Sequence, residues 1–116
     1  MAVNLRPTQA LRLWQAVSLD EVRTGMPDLS MRQAAILLTV YLDPPPHTVR
    51  GLAAKLGVTK PVITRALDTI GEWGLVSRHR DELDRRNVLI RRTVEGALFV
   101  ERFGDVVIAR ARELPA

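Results

Sequence analysis

The feature that most constrains this chain is the run "TVRGLAAKLGVTKPVITRALDTIGEWG", Thr48 to Gly74. It reads as two short helices joined by "GVT". Thr48 can cap the first, and Gly57 can take the left-handed turn that follows it. Thr59 can cap the second helix, and Pro61 falls in that helix's first turn, where a missing N–H costs nothing. Ala53 and Leu56 before the glycine and Ile63 after it have the spacing of helix-turn-helix packing. The small Ala53 lets the second helix cross closely, and Ile63 and Leu67 lock it onto a core. Val62, Ile63, Ala66, Leu67 and Ile70 form its apolar stripe. That stripe turns Lys60, Pro61, Thr64, Arg65 and Asp68 outward. Thr59, Lys60, Pro61, Thr64 and Arg65 thus make a polar, basic face near a helix N-terminus, which is what a recognition helix presents to a major groove.

The flanks fit the same plan. Thr8 can cap a first helix running to about Arg23, with Ala10, Leu13, Trp14 and Val17 on one stripe, and Gly25 and Pro27 end it. Ser30 and Gln33 have capping-box spacing. They open "SMRQAAILLTVYLD", whose middle is apolar nearly all round and predicts the buried centre of the domain. "DPPPH" is a stiff break. After Gly74, "LVSRHR" and "NVLIRRT" predict two short strands around a charged tip, and Thr93 caps a last helix. Trp14 and Trp73 are expected to be packing residues. The expected fold is mainly α with a small β-hairpin wing. It is a winged helix-turn-helix in a single domain, residues 1–116, with the helix-turn-helix at about 48–73 and the wing at about 75–93.

Charge narrows the function. From Thr48 to Thr93 ten basic residues stand against five acidic ones, whereas the rest of the chain has seven and eight. The positive field belongs to one half, as expected if that half meets a polyanion. Fifteen of the seventeen basic residues are arginine, which forms bidentate contacts with phosphate and guanine. Other classes fall away. The chain has no cysteine, so thiolate metal sites and a cysteine nucleophile are excluded. His47 and His79 have no carboxylate or nucleophile at a recognisable spacing, and no Gly-rich phosphate loop is present. No catalysis, metal or cofactor is expected. The N-terminus lacks a signal-peptide pattern, and no apolar run approaches the roughly 20 residues of a membrane span. The expectation is a soluble, cytoplasmic protein that does not engage membranes.

The stretch from Leu29 to Gly96 resembles the MarR family of bacterial winged-helix transcriptional regulators. The resemblance is carried by "LSMRQAAILLTVYL", "LAAKLGVTKPVITRALDTIGEWGLVSRHR" and above all "DELDRRNVLIRRTVEG". The last is similar to the family's wing signature, Asp-x-Arg, five residues, Leu-Thr, then Gly. Here it reads Asp84-Arg85-Arg86, five residues, Arg92-Thr93, then Gly96. The departure is Arg92, where the family usually has leucine.

The resemblance implies a sequence-specific regulator of double-stranded DNA, with the second helix in the major groove and a wing arginine in the adjacent minor groove. Arg78, Arg80, Asp84, Arg85 and Arg86 are the wing candidates: Asp84 can hold the tip while Arg85 or Arg86 projects from it. It also implies a homodimer through the first helix and the C-terminal region, with Leu11, Trp14, Val100, Phe103, Val107 and Leu114 as the seam. With one C-terminal helix before "ELPA", that dimer is expected to be weak or DNA-assisted. The rival reading is a winged-helix domain that binds protein as an adaptor, without specific DNA binding.

Overall fold

The Ser30 hydroxyl accepts the Gln33 N–H at 3.1 Å, and the Gln33 side chain accepts the Ser30 N–H at 2.8 Å. This reciprocal cap fixes the start of a helix at Met31–Leu42. The computed structural model describes residues 3–25 and 27–115. Among them, in chain order, are α1 (Pro7–Arg23), α2 (Met31–Leu42), β1 (His47–Thr48), α3 (Val49–Leu56), α4 (Lys60–Glu72), β2 (Val76–Arg80), β3 (Val88–Arg92) and α5 (Val94–Arg112). The chain forms two compact units. One is Leu29–Val100; the other combines Met1–Asp28 with Glu101–Ala116.

In the Leu29–Val100 unit, α2 is buried along one face, through Ile36, Leu37 and Val40. Met31 and Leu42 are exposed, so the helix is not apolar-packed all round as expected. The covering elements, α3, α4 and β3, all lie on that one face. Thr48 caps α3 by accepting the Gly51 N–H at 2.9 Å, and Gly57 ends α3 in the left-handed conformation, φ 69°. Leu52 and Ala53 of α3 meet Ile63, Ala66, Leu67 and Ile70 of α4 in one cluster with the α2 residues. Each fully buried leucine or isoleucine in such a cluster contributes about 1.5–3 kcal/mol. Thr59 occupies the cap position of α4, but its side chain makes no capping bond. Trp73 is more than a third exposed (37%) at the far end.

The sheet is antiparallel with order β1-β3-β2. β1 was not expected. Two residues after a proline run carry no periodicity, and only the pairing of His47 with Ile90 and Thr48 with Leu89 reveals the strand. Strand alternation puts Val76, Arg78 and Arg80 on the face of the buried Ile90. His79, Leu89 and Arg91 occupy the other face.

Both ends of the wing meet at one hydroxyl. Tyr41 of α2 donates to the Leu75 carbonyl at 2.7 Å and accepts the Thr93 N–H at 2.9 Å. Thr93 bonds the Gly74 carbonyl at 2.6 Å and caps α5 by accepting the Gly96 N–H at 2.9 Å. Arg92 answers the question its sequence position raised. Its guanidinium donates to the carbonyls of Val40 (2.7 Å) and Asp43 (3.0 Å), closing the C-terminal end of α2. It also lies over the Tyr41 ring at 5.9 Å.

In the other unit, α1 starts at Pro7 with Arg6 in the cap position, two residues earlier than a Thr8 cap allows. The cap is made by Gln9, whose side chain accepts the Arg6 N–H at 2.9 Å. α1 runs antiparallel to the end of α5. Gln9 reaches the Pro115 carbonyl at 3.0 Å, Arg110 pairs with Asp20 at 2.9 Å, and Arg102 pairs with the nearly buried Glu21 at 3.1 Å. Val17 is buried, but Trp14 is 61% exposed, so within one chain it is not a packing residue.

Gly96 supplies a direct test of the wing base. A Cβ there would collide with the Tyr41 hydroxyl and the Leu75 carbonyl, and the latter is backbone that cannot swing away. Gly96→Ala is expected to destabilise the chain by about 1–3 kcal/mol or more. The urea midpoint measures it, and an unchanged midpoint would contradict the packing described.

Candidate nucleic-acid interface

α4 carries its inner stripe so deeply that the opposite face has no choice of direction. Ile63, Leu67 and Ile70 are fully buried. A helix turns about 100° per residue, so Pro61, Thr64 and Arg65 fall away from that stripe, while Lys60 lies at its edge in the first turn. All four are exposed, as is Thr59, whose hydroxyl stays out of the helix cap. Of the five residues expected to share a face, Pro61, Thr64 and Arg65 do, and Thr59 and Lys60 are exposed beside it at the start of the helix. Asp68 lies on the same side one turn on, and Arg78 of β2 bonds it at 2.8 Å. That pair ties the wing to α4 and takes up the charge of Arg78.

The wing tip is built from its own charges. Asp81 accepts the Leu83 N–H at 2.9 Å, and Asp84 accepts the Arg86 N–H at 3.2 Å, two Asx turns in succession. The Arg86 side chain returns to both Asp84 oxygens, at 3.1 and 3.3 Å. Arg80 donates to the Arg85 carbonyl at 2.7 Å. Of the two arginines expected to project, Arg86 is therefore engaged with Asp84. Arg85 is the one whose guanidinium has no partner among the described residues. Arg78, Arg80 and Arg86 act first as struts.

The Arg86 side chain, and after it the Arg86 backbone N–H, hold the Asp84 carboxyl below the usual carboxylate range. The charge of Arg50 adds to this, which brings into the region a residue that sequence reasoning missed. Arg50 belongs to the first turn of α3, immediately after β1, so only the unrecognised strand could have signalled its nearness to the tip. Beside the tip an open concavity of about 630 Å³ has His79, Arg80, Arg85 and Arg91 on its walls, with Asp81 and Glu82. A second carboxylate, Asp43, is held below its ordinary range by Lys55, which bonds it at 2.6 Å.

The residues expected at a dimer seam divide. Leu11 (69% exposed) and Trp14 stand out from α1, and Val22 (65%) lies on the same stripe. Val100, Phe103, Val107 and Leu114 are half-buried instead. Phe99, one position before Val100, belongs to the core of the Leu29–Val100 unit. No described helix is long and apolar enough to cross a membrane.

This arrangement of elements has known counterparts. A family model, the MarR family, matches residues 25–87. A MarR-family transcriptional regulator from Rhodococcus sp. RHA1 is 31% identical, over 87% of this chain and 69% of that one, with a TM-score of 0.67. CouR from Rhodococcus jostii RHA1, solved with p-coumaroyl-CoA bound, is 30% identical over 91% of this chain and 75% of its own, with a TM-score of 0.66. CouR bound to a 23-mer DNA duplex superposes with a TM-score of 0.73 over 91% of this chain and 72% of that one; at 24% identity this is a likeness of fold.

The tip predicts a pH response. Because the folded Asp84 titrates below its unfolded value, its contribution to tip order is complete above the ordinary carboxylate range. It is lost as pH falls through the folded value. In an NMR titration, Arg86→Ala should raise the Asp84 pKa only part of the way to normal, since the residue 86 backbone bond remains. An Asp84 titration identical in wild type and variant would remove Arg86 as the cause.

Proposed function

This chain belongs to the MarR family of winged-helix transcriptional regulators, and we propose that it acts by binding duplex DNA sequence-specifically as a homodimer. The observation that carries the proposal is the exposed set Thr59, Lys60, Pro61, Thr64 and Arg65 at the start of α4, on a helix tied through Asp68 to a wing whose tip displays the uncommitted guanidinium of Arg85. α4 enters the major groove. Thr64 and Arg65 face base edges there, while Thr59 and Lys60 near the helix N-terminus meet phosphates. Arg85 reaches an adjacent minor groove, whose negative potential is strongest where the groove is narrow. Arg50 and Arg91 add to the positive field. CouR bound to a DNA duplex supplies the precedent for this fold on DNA.

A second copy fits the exposed stripe of α1. Leu11, Trp14 and Val22 lie within an arc of about 80° at helical spacing, with Ser18 between them. An apolar stripe of this kind costs free energy in water and is covered when two copies meet. Within the same unit the half-buried Phe103, Val107 and Leu114 of the C-terminal segment add to this apolar surface. Two α4 helices related by a two-fold axis then read a pseudo-palindrome, about one helical turn apart. The protein works on DNA in the cytoplasm.

Motif selection with purified protein, followed by anisotropy titrations against salt, tests the proposal. Each neutralised phosphate should add about −0.9 to the slope of log affinity against log salt. Arg65→Ala should cost about 1–3 kcal/mol on the selected motif and relax one position of it. Flat salt dependence, or a motif unaltered in Arg65→Ala, would overturn the placement of α4. For the dimer, Leu11→Glu should shift the sedimentation of the DNA complex from two protomers to one. Wild type sedimenting as one protomer on its best site would remove the dimer and leave DNA binding standing.

A further inference from the structure

The wing touches the rest of the Leu29–Val100 unit through few polar contacts, and most of them converge at its base. β2 leaves α4 through Gly74 and Leu75, and β3 leads into α5 through Arg92 and Thr93. Tyr41 bonds Leu75 on the first arm and Thr93 on the second, so a single hydroxyl spans both. Arg92 packs over the Tyr41 ring and grips the last turn of α2 by two carbonyls. Gly96 leaves room for this hydroxyl and for nothing larger. We infer that Tyr41 and Arg92 form a clasp that sets the angle of the wing against α4, and thereby determines how the tip reads the sequence flanking the core motif.

The inference rests on the DNA-binding reading and adds residues that touch no DNA. Tyr41 and Arg92 are positioning residues. The tip extends well beyond the clasp, at about 3.3 Å per strand residue. A small rotation at the base therefore becomes a displacement of ångströms at Arg85. β1 pairing and the core side chains Val76 and Ile90 hold the base of the sheet. The Arg78–Asp68 pair is the side-chain attachment further along it, but both its side chains are solvent-accessible and such pairs are weak. Without the clasp, those contacts keep the sheet in place but do not fix the angle of the tip. Leucine at position 92, the residue expected from the wing signature, fills space but offers no donor to the Val40 and Asp43 carbonyls.

The chain has no cysteine, so paired spin labels can be placed cleanly at Leu83→Cys and Glu72→Cys. The wild type should give one narrow label-to-label distance distribution. In Tyr41→Phe and Arg92→Leu, each confirmed to melt cooperatively, the distribution should broaden. On DNA, both variants should hold the core motif within about threefold, the scatter expected of substitutions off the contact surface. The roughly tenfold preference that one flanking base step carries should shrink to about twofold or less. Unchanged distance distributions in both variants would overturn the clasp. So would an equal loss of core and flank binding, which marks a general destabilisation. If Tyr41→Phe does not fold, Arg92→Leu decides alone. If the wild type selects no motif, the DNA reading falls, and the label distances still decide whether the clasp sets the wing angle.

Discussion

Burial of Ile63, Leu67 and Ile70 against Ile36, Leu37 and Val40 is the constraint on which the arrangement rests. These six side chains are almost completely withdrawn from water. Rotating α4 about its axis by even one residue would expose at least one large aliphatic group and bury Thr64 or Arg65 without partners, which costs more than most single contacts provide. The orientation of α4 is thus decided inside the core, while its consequence appears on the opposite surface. The short α3 is held in the same way by Leu52 and Ala53, so the turn at Gly57 has little freedom left.

A second organising element is polar. The wing is not positioned by apolar packing alone: beyond Val76, Val88 and Ile90, which reach the core, four of the seven remaining strand residues are arginine. Hydrogen bonds do the work instead: Tyr41 and Arg92 at the base, Arg78 with Asp68 along the side, Asp81 and Asp84 at the tip. Four of the six arginines of the hairpin, Arg78, Arg80, Arg86 and Arg92, close contacts within the protein. A segment that looks in sequence like a cloud of charge is an ordered frame.

Much of this was legible in the residues. The helix-turn-helix, the Ser30–Gln33 and Thr48 caps, the glycine stops and the two wing strands all follow from local rules that act within four residues. Apart from the Thr8 and Thr59 caps, which the side chains do not make, what escaped was long-range. β1 is defined by pairing with residues some forty positions away, and Arg50 approaches the tip only because of that pairing. Whether Arg78, Arg80 or Arg86 is free or engaged depends on partners that composition does not identify. The last helix shows the same limit. Val100, Phe103 and Val107 were expected at a dimer seam, but they are half-buried and the neighbouring Phe99 is the buried anchor, a difference fixed by the approach of Gly96 to the Tyr41 hydroxyl and the Leu75 carbonyl.

The division of labour among the tip residues has a consequence for how such a protein changes over generations. Asp84, Arg86 and Arg80 carry the shape of the turn, and only the main-chain carbonyl of residue 85 takes part in it. The side chain at that position is therefore decoupled from folding. One codon can be rewritten there, to lysine, glutamine or a small residue, without rebuilding the hairpin that displays it. A lineage of duplicated copies could drift apart in what the wing prefers while inheriting an intact scaffold, and position 85 is where that divergence is cheapest to explore.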